Sequence, residues 1–217
     1  MPLNMSQKYP LHEELYSYYS DPIGWKQRFL RPELLSKNWD LYANEELPNI
    51  FTIAAFTEEF CDFITEEAES CYCWTIDRHE HYPTTDMTLH TLELGDIYDE
   101  VLREYIWPMA KYLYKLEEPD WVDMSAENFL ARYHPYAQYH LGLHHDMSNI
   151  TSVVTLNEDF EGGGTYFPNQ QTKLKGKKGE ISVHPGQLTH RHGGLPVLNG
   201  QRYIIVSFCT LKTQTVG

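Results

Sequence analysis

The sequence predicts an α+β fold in which a double-stranded β-helix (jelly-roll) core is backed by N-terminal helices. Two observations carry this. Apolar residues recur at helical spacing up to about residue 116, and from residue 128 onward the pattern changes to short β-branched and aromatic runs broken by Gly, Pro and Asn. A chain of 217 residues is long enough to bury one such core, since single β-rich domains often reach this size.

The helical part begins with two short candidates, at 13–19 and 25–29. Residues 57–69 read as a longer helix, with Thr57 as N-cap, Phe60, Phe63, Ile64 and Ala68 on one side and acids on the other. A second long stretch covers 96–116, where Ile97, Val101, Tyr105, Met109 and Leu113 fall four apart, the pattern of a core stripe. Pro108 lies inside it and is expected to kink or split it. Strands are expected at 129–133, 149–156, 165–167, 179–184 and 201–208. The triple glycine after Glu161 reads as turn geometry between two core strands, and the four lysines of 173–178 as a solvated hairpin. In domain terms, 1–10 is a linker or expression remnant, 11–127 the helix-rich part, 128–212 the core with the site, and 213–217 a tail.

Composition narrows the partners. The chain carries 31 acidic against 17 basic residues, a formal charge of −14, which argues against a nucleic-acid partner and suits either simple solubility or a basic peptide. It contains no apolar run of membrane length and no signal-peptide pattern. Its 16 Tyr and 5 Trp supply rings for a core. Four cysteines do not make a framework; a buried free thiol is the expectation for Cys61, Cys71, Cys73 and Cys209 alike, although Cys71 and Cys73 stand only two apart.

The chemistry lies in the second half. His144 and Asp146 in His144-His145-Asp146 point to one face of a strand while His145 turns away. Two histidines and one carboxylate on one face of a metal, with positions left open, define the non-haem iron(II) oxygenase pattern. A third ligand has to come from a distant strand, and His184, His190 and His192 are the candidates. His184 precedes the turn signal Pro185-Gly186 and is expected to hydrogen-bond the turn backbone, whereas spacing leaves His190 and His192 open. Arg202 shares a strand face with Ile204, Val206 and Phe208, where a guanidinium is costly unless an anion meets it. A salt bridge is its ordinary fate; beside a metal site, a bidentate clamp on a ligand carboxylate explains it better.

A resemblance then appears. Phe129-Leu-Ala-Arg-Tyr133, His144-His-Asp146, Asp159-Phe-Glu-Gly-Gly-Gly164, His184-Pro-Gly-Gln-Leu-Thr-His-Arg-His-Gly-Gly-Leu-Pro196 and Gly200-Gln-Arg-Tyr-Ile-Ile205 resemble the C-terminal catalytic domain of procollagen lysyl hydroxylases. Trp25-Lys-Gln-Arg-Phe29, Pro48-Asn-Ile50, Phe60-Cys-Asp62, Trp74 and Pro83-Thr-Thr-Asp86 extend it over nearly the whole chain. The resemblance implies that His144, Asp146 and His192 hold Fe(II), with His145 and His190 as neighbours. It further implies that Arg202 binds the distal carboxylate of 2-oxoglutarate and that Tyr133 donates a hydrogen bond to it. The implied reaction is hydroxylation of peptidyl lysine in collagen-like polypeptides, with ascorbate keeping iron reduced. A homodimer in the endoplasmic reticulum lumen and an upstream glycosyltransferase part are implied as well. Trp74 and Asp86 are possible contacts at the mouth of the site.

The departures mark a divergent member, of the kind a giant virus could carry. Where the family has an asparagine that helps hold 2-oxoglutarate, this chain has Val153; where a cysteine follows the triple glycine, it has Thr165; and the loop between Arg78 and Pro83 is shorter than in animal members. Two rival readings are a prolyl hydroxylase, which typically grips the cosubstrate with lysine rather than arginine, and a non-catalytic module that binds collagen or dimerises.

Overall fold

The structure is a computed structural model that describes residues 10–79, 81–116 and 123–212. The calls on 213–217 and, apart from Pro10, on 1–10 lie outside the described residues. The chain opens with a 3-10 turn at Glu13–Tyr19, α1 (Pro22–Phe29), α2 (Pro32–Leu35) and α3 (Trp39–Tyr42), and after two strands reaches α4 (Glu58–Cys71). The helix α4 starts where the cap chemistry says it should, with the Thr57 side chain accepting a hydrogen bond from the Phe60 N–H.

The expected helix at 96–116 is three pieces: α5 (Gly95–Val101), a π-turn at Leu102–Ile106, and α6 (Trp107–Tyr114). Pro108 has no N–H and its ring crowds the carbonyl four residues back, so the ladder widens just before it, where the Trp107 N–H bonds Leu102 O. The stripe survives the interruption: Ile97, Val101, Tyr105 and Met109 are all buried.

The strands are β1 (Asn44–Leu47), β2 (Ile50–Ala54), β3 (Thr85–Thr88), β4 (Asp123–Tyr133), β5 (Leu141–His144), β6 (Ile150–Thr155), β7 (Glu161–Gly162), β8 (Thr165–Phe167), β9 (Thr172–Leu174), β10 (Glu180–Pro185), β11 (His192–Gly194), β12 (Val197–Asn199) and β13 (Arg202–Lys212). They form a seven-stranded sheet in the order β1-β2-β10-β6-β13-β4-β3, a four-stranded sheet β5-β11-β8-β9 and the pair β12-β7. Every pairing is antiparallel. This corrects the expected jelly-roll core. Among the described residues the fold is α+β with three open sheets, none of which closes, because β1 and β3 end the large sheet without hydrogen-bonding to each other or to the four-stranded sheet. Alternating strands and turns in a sequence specify neighbours but not closure, which depends on how the outermost edges meet.

The upstream part contributes three strands (β1, β2 and β3) to the large sheet, and β4 runs across residue 127. The helices pack with one face of that sheet in a core containing Leu15, Trp25, Phe29, Phe56, Phe60, Met109, Leu130 and Ile205. The other face carries a smaller apolar cluster of Phe129, Ala131, Tyr133, Phe160, Val197, Ile204 and Val206.

The cysteine expectation is corrected in part. Cys61 and Cys209 are buried free thiols, each pushed up to about 12 by burial, but Cys71 and Cys73 form a disulfide. Helix α4 ends at Cys71 and Tyr72 takes a left-handed conformation, so the chain turns back at once and brings Cys73 to Cys71. A strand-like reading of the spacing could not foresee that turn.

Candidate active site

Two cross-strand pairs build the site. In the four-stranded sheet His192 on β11 lies opposite His144 on β5, and in the large sheet Arg202 on β13 lies opposite Tyr133 on β4. Both pairs line one cavity of about 320 Å³ set between the two sheets. Its wall is mostly apolar, with Phe129, Ala131, Val153, Ile204, Val206 and Phe208 among the lining residues.

His144, Asp146 and His192 converge at one end, each offering a ligand atom within 4.8 Å of the others. Asp146 Oδ1 is 3.2 Å from His144 Nε2 and Oδ2 is 3.5 Å from His192 Nε2. On the far side of each ring, Nδ1 donates to a backbone carbonyl: His144 to Gly142 O at 2.8 Å and His192 to His190 O at 2.9 Å. These bonds aim both Nε2 lone pairs inward in the tautomer a metal requires. Each imidazole therefore meets an acceptor on both sides, an arrangement that suits either a doubly protonated ring or a metal-bound one. The donor set of two nitrogens and one carboxylate oxygen fits ferrous iron.

Charge follows from this packing. Burial would raise the Asp146 carboxyl, but the hydrogen bond with His144 and the nearby His192, His184 and Thr151 outweigh it and hold it at about 2. Burial would likewise lower His144, yet the bonds to Asp146 and Gly142 raise it, whereas burial prevails at His192 and lowers it. Asp146 Oδ2 also accepts from Thr151 Oγ1 at 2.6 Å, and Ser148 bonds Thr151 in turn. Thr151 carries no motif, and only the fold brings it to the carboxylate.

Arg202 occupies the other end and is 2% exposed. No carboxylate pairs with it among the described residues. Its contacts are long ones, 3.5 Å to Gly164 O and 3.3 Å to Thr165 Oγ1, and Nε has no partner. Burial pulls its pKa down, and Tyr133, whose ring lies 5.5 Å from the guanidinium carbon, is the opposing influence. A buried guanidinium left in this condition is built to receive an anion. The triple glycine serves it. Gly162, Gly163 and Gly164 all have positive φ, and a Cβ on Gly163 would sit 2.7 Å from the Phe160 ring and 3.4 Å from Arg202 Cδ. Thr165, noted in the sequence only as a missing cysteine, is thus an Arg202 partner.

The remaining candidates separate. His184 is buried, with Nδ1 bonded to Pro185 O, which is the turn contact expected of it. His190 reaches Pro48 O and Thr189 Oγ1, away from Asp146. His145 is exposed and lines the cavity. Asp86 is fully buried behind the mouth, paired with Arg78 at 2.5 Å and bonded by Thr84, so it anchors the rim. Trp74 lies under the Arg132 guanidinium, outside the cavity lining.

No model of a known protein family matches the chain. Individual proteins do. The rat multifunctional procollagen lysine hydroxylase and glycosyltransferase LH3 is 33% identical over 213 residues, covering 91% of this chain and 28% of the relative. Human procollagen-lysine,2-oxoglutarate 5-dioxygenase 2 is 32% identical over 215 residues, again 91% of this chain and 28% of the relative. The chain therefore spans little more than a quarter of the length of these relatives. Among solved structures, the 2-oxoglutarate complex of the viral collagen prolyl hydroxylase vCPH from Paramecium bursaria Chlorella virus-1 superposes with a TM-score of 0.55 at 22% identity, covering 75% of this chain and 96% of that one. EvdO2 from Micromonospora carbonacea, also complexed with 2-oxoglutarate, superposes at 0.53 with 10% identity, covering 80% and 91%. By sequence the chain belongs with the 2-oxoglutarate- and Fe(II)-dependent dioxygenases, and its fold is shared with these solved structures. Within that class the chain is a divergent domain related to the procollagen-lysine dioxygenases.

Proposed function

We propose that this domain hydroxylates lysine side chains of collagen-like polypeptides, with His144, Asp146 and His192 holding Fe(II) and Arg202 holding 2-oxoglutarate. One observation carries the reading: a cluster of two histidines and a carboxylate shares an apolar-walled cavity with a buried arginine that lacks an anionic partner among the described residues. The relatives at 32–33% identity favour lysine as the target.

When bound, iron and 2-oxoglutarate supply the activation of oxygen and the oxidising power that an unactivated C–H bond demands. The chain's own residues do the rest. The Nδ1 hydrogen bonds of His144 and His192 fix the tautomer and aim both rings, while Thr151 orients Asp146. Arg202 receives the distal carboxylate of the cosubstrate. Tyr133, whose pKa burial raises, stays protonated and donates to the same carboxylate. Val153 leaves that end without the amide of the related enzymes, so the grip on the cosubstrate rests more heavily on Arg202. The apolar wall of Phe129, Val206 and Phe208 excludes water and positions the side chain to be oxidised. Under this reading the enzyme draws on ascorbate, assembles as a homodimer and works in the endoplasmic reticulum lumen. None of its described helices is long and apolar enough to cross a membrane.

The second reading, proline as target, has the shared fold of the viral prolyl hydroxylase in its favour. Mass spectrometry of Lys-Gly and Pro-Gly repeat peptides, incubated with protein, Fe(II), ascorbate and 2-oxoglutarate, decides between them. The expected result is a one-oxygen gain on lysine. A gain on proline moves the assignment to the neighbouring enzyme, and iron binding without succinate release would overturn the catalytic reading.

A further inference from the structure

The Cys71–Cys73 disulfide lies outside the cavity lining, and its placement sets it apart from the other two cysteines. Cys61 and Cys209 are buried thiols that burial pushes up to about 12, so neither ionises near neutral pH. In the pair, Cys71 is half-buried against the helix-side core, whereas Cys73 is exposed. Tyr72, between them, is 83% exposed. One half of the pair therefore meets solvent beside an uncovered aromatic ring, while the other is held at the edge of the core.

As a structural crosslink this bond does little. The stabilisation a disulfide gives grows with the length of the loop it closes, and a sequence separation of 2 closes almost none. Both arms are also fixed without it. Cys71 is the last residue of α4, and that helix carries it against the core. After Cys73, Trp74 packs on the same core, with the Arg132 guanidinium carbon 4.5 Å from its ring centroid. Thr75 then exchanges two backbone hydrogen bonds of 2.9 Å with Asp86. Opening the sulfur bridge leaves these contacts in place, and an exposed disulfide of this kind is suited to reversible chemistry.

We propose that Cys71–Cys73 is a thiol–disulfide exchange site, a redox function separate from the cavity, whose reaction partner is an accessible dithiol. A partner thiolate attacks the exposed Cys73 sulfur and forms a mixed disulfide; the Cys71–Cys73 bond breaks, and Cys71 leaves as a thiolate that takes up a proton. The partner's second thiol loses its proton, attacks the partner sulfur of the mixed disulfide and releases Cys73, which is protonated in turn. The partner is thereby oxidised to its own disulfide and the pair reduced to two thiols. A partner disulfide restores the bond by the reverse steps. Because Cys71 stays two residues away, it recloses on the mixed disulfide unless the second thiol is tethered to the first, which favours dithiols over single thiols. No step uses iron or 2-oxoglutarate, so the inference goes beyond the hydroxylase reading and is tested independently of it.

The test exposes folded, metal-free protein to dithiothreitol, quenches with acid, alkylates in denaturant and maps free thiols by mass spectrometry. The expected count rises from the two buried thiols to all four cysteines while the circular dichroism spectrum is kept. Two variants then separate the sulfurs. With oxidised glutathione, Cys71→Ser should gain one glutathione on Cys73, and Cys73→Ser, which retains the half-buried Cys71, should react about tenfold more slowly. A pair that stays oxidised until the spectrum is lost would overturn the proposal, as would equal rates in the two variants or no adduct in either. The wild-type thiol count decides the matter even where a variant does not fold.

Discussion

The two faces of β13 make unlike environments out of one strand. Tyr203, Ile205 and Cys209 turn toward the helices into a core of packed rings and aliphatics, with Trp25 against Phe29 and Phe56 stacked on Phe60. Arg202, Ile204, Val206 and Phe208 turn the other way and line the cavity. The helix side is shaped by apolar burial, and its cost and gain are those of any core. The cavity side is as deeply buried at Arg202 yet leaves its Nε unpartnered, and facing it stand two imidazoles with acceptors on both sides. Unpartnered neutral atoms occur on the helix side too, at Ser207, Tyr98 and Trp107, so the difference teaches that a buried charge without a counter-charge, facing metal-type donors, is what sets the cavity apart.

That contrast is most sharply tested by His192→Ala. Removing one of the three proposed ligands is expected to abolish iron binding and peptide oxidation together, measured by metal titration and succinate release, with the circular dichroism spectrum kept. Retained iron affinity would break the assignment. Arg202→Gln comes next, with about a hundredfold loss of 2-oxoglutarate affinity, the scale of removing one partner of a buried charge pair. Iron binding in that variant should remain, which isothermal titration with metal alone would show. On the opposite face, Ile205→Ala is expected to cost about 2–5 kcal/mol in urea unfolding and to leave iron affinity where it was, because Ile205 is fully buried on the helix side. A large loss of iron affinity there would mean that the two faces are not independent.

The remaining expected effect is a pH dependence. Burial, then the neighbouring His192, pushes His184 down to about 3, and its Nε2 has no partner. A histidine in the unfolded chain titrates near 6.5, so as pH falls below that value the unfolded state takes up a proton that the folded state refuses. Stability should therefore fall on acidification between about 6.5 and 3, approaching about 1.4 kcal/mol per pH unit, and not above that window. Comparing urea unfolding of the metal-free protein and His184→Phe at two pH values isolates this contribution. An equal acid loss in both proteins would show that His184 is not its source.

Much of this was legible in the chain. Thr57 as a cap, the buried stripe from Ile97 to Met109, and the strands that hold Tyr133, Val153, Val206 and Arg202 all follow from local periodicity, which is a property of neighbouring residues. Short strands were harder to read. The three-residue β11 lies in a run of Gly and Pro, and β2 and β3 lie in the helix-rich half, so their pattern is too brief to outweigh their surroundings. The disulfide between Cys71 and Cys73 depended on a left-handed Tyr72, which no residue type announces.

By itself the sequence named the candidate groups. His144 with Asp146, a distant histidine string and an arginine on an apolar strand face are readable because strand geometry makes i and i+2 neighbours. It could not choose between His190 and His192 or find Thr151, and the closed jelly-roll it predicted is not what the sheets form. Those were decided by register: β11 sets His192 opposite His144, β13 sets Arg202 opposite Tyr133, and the turn from Asp146 to Thr151 brings a hydroxyl to a carboxylate. Register depends on pairing between segments far apart in the chain, and a shift of one residue would turn each of these side chains to the other face. Local sequence names the groups, and only the assembled sheets decide which of them meet.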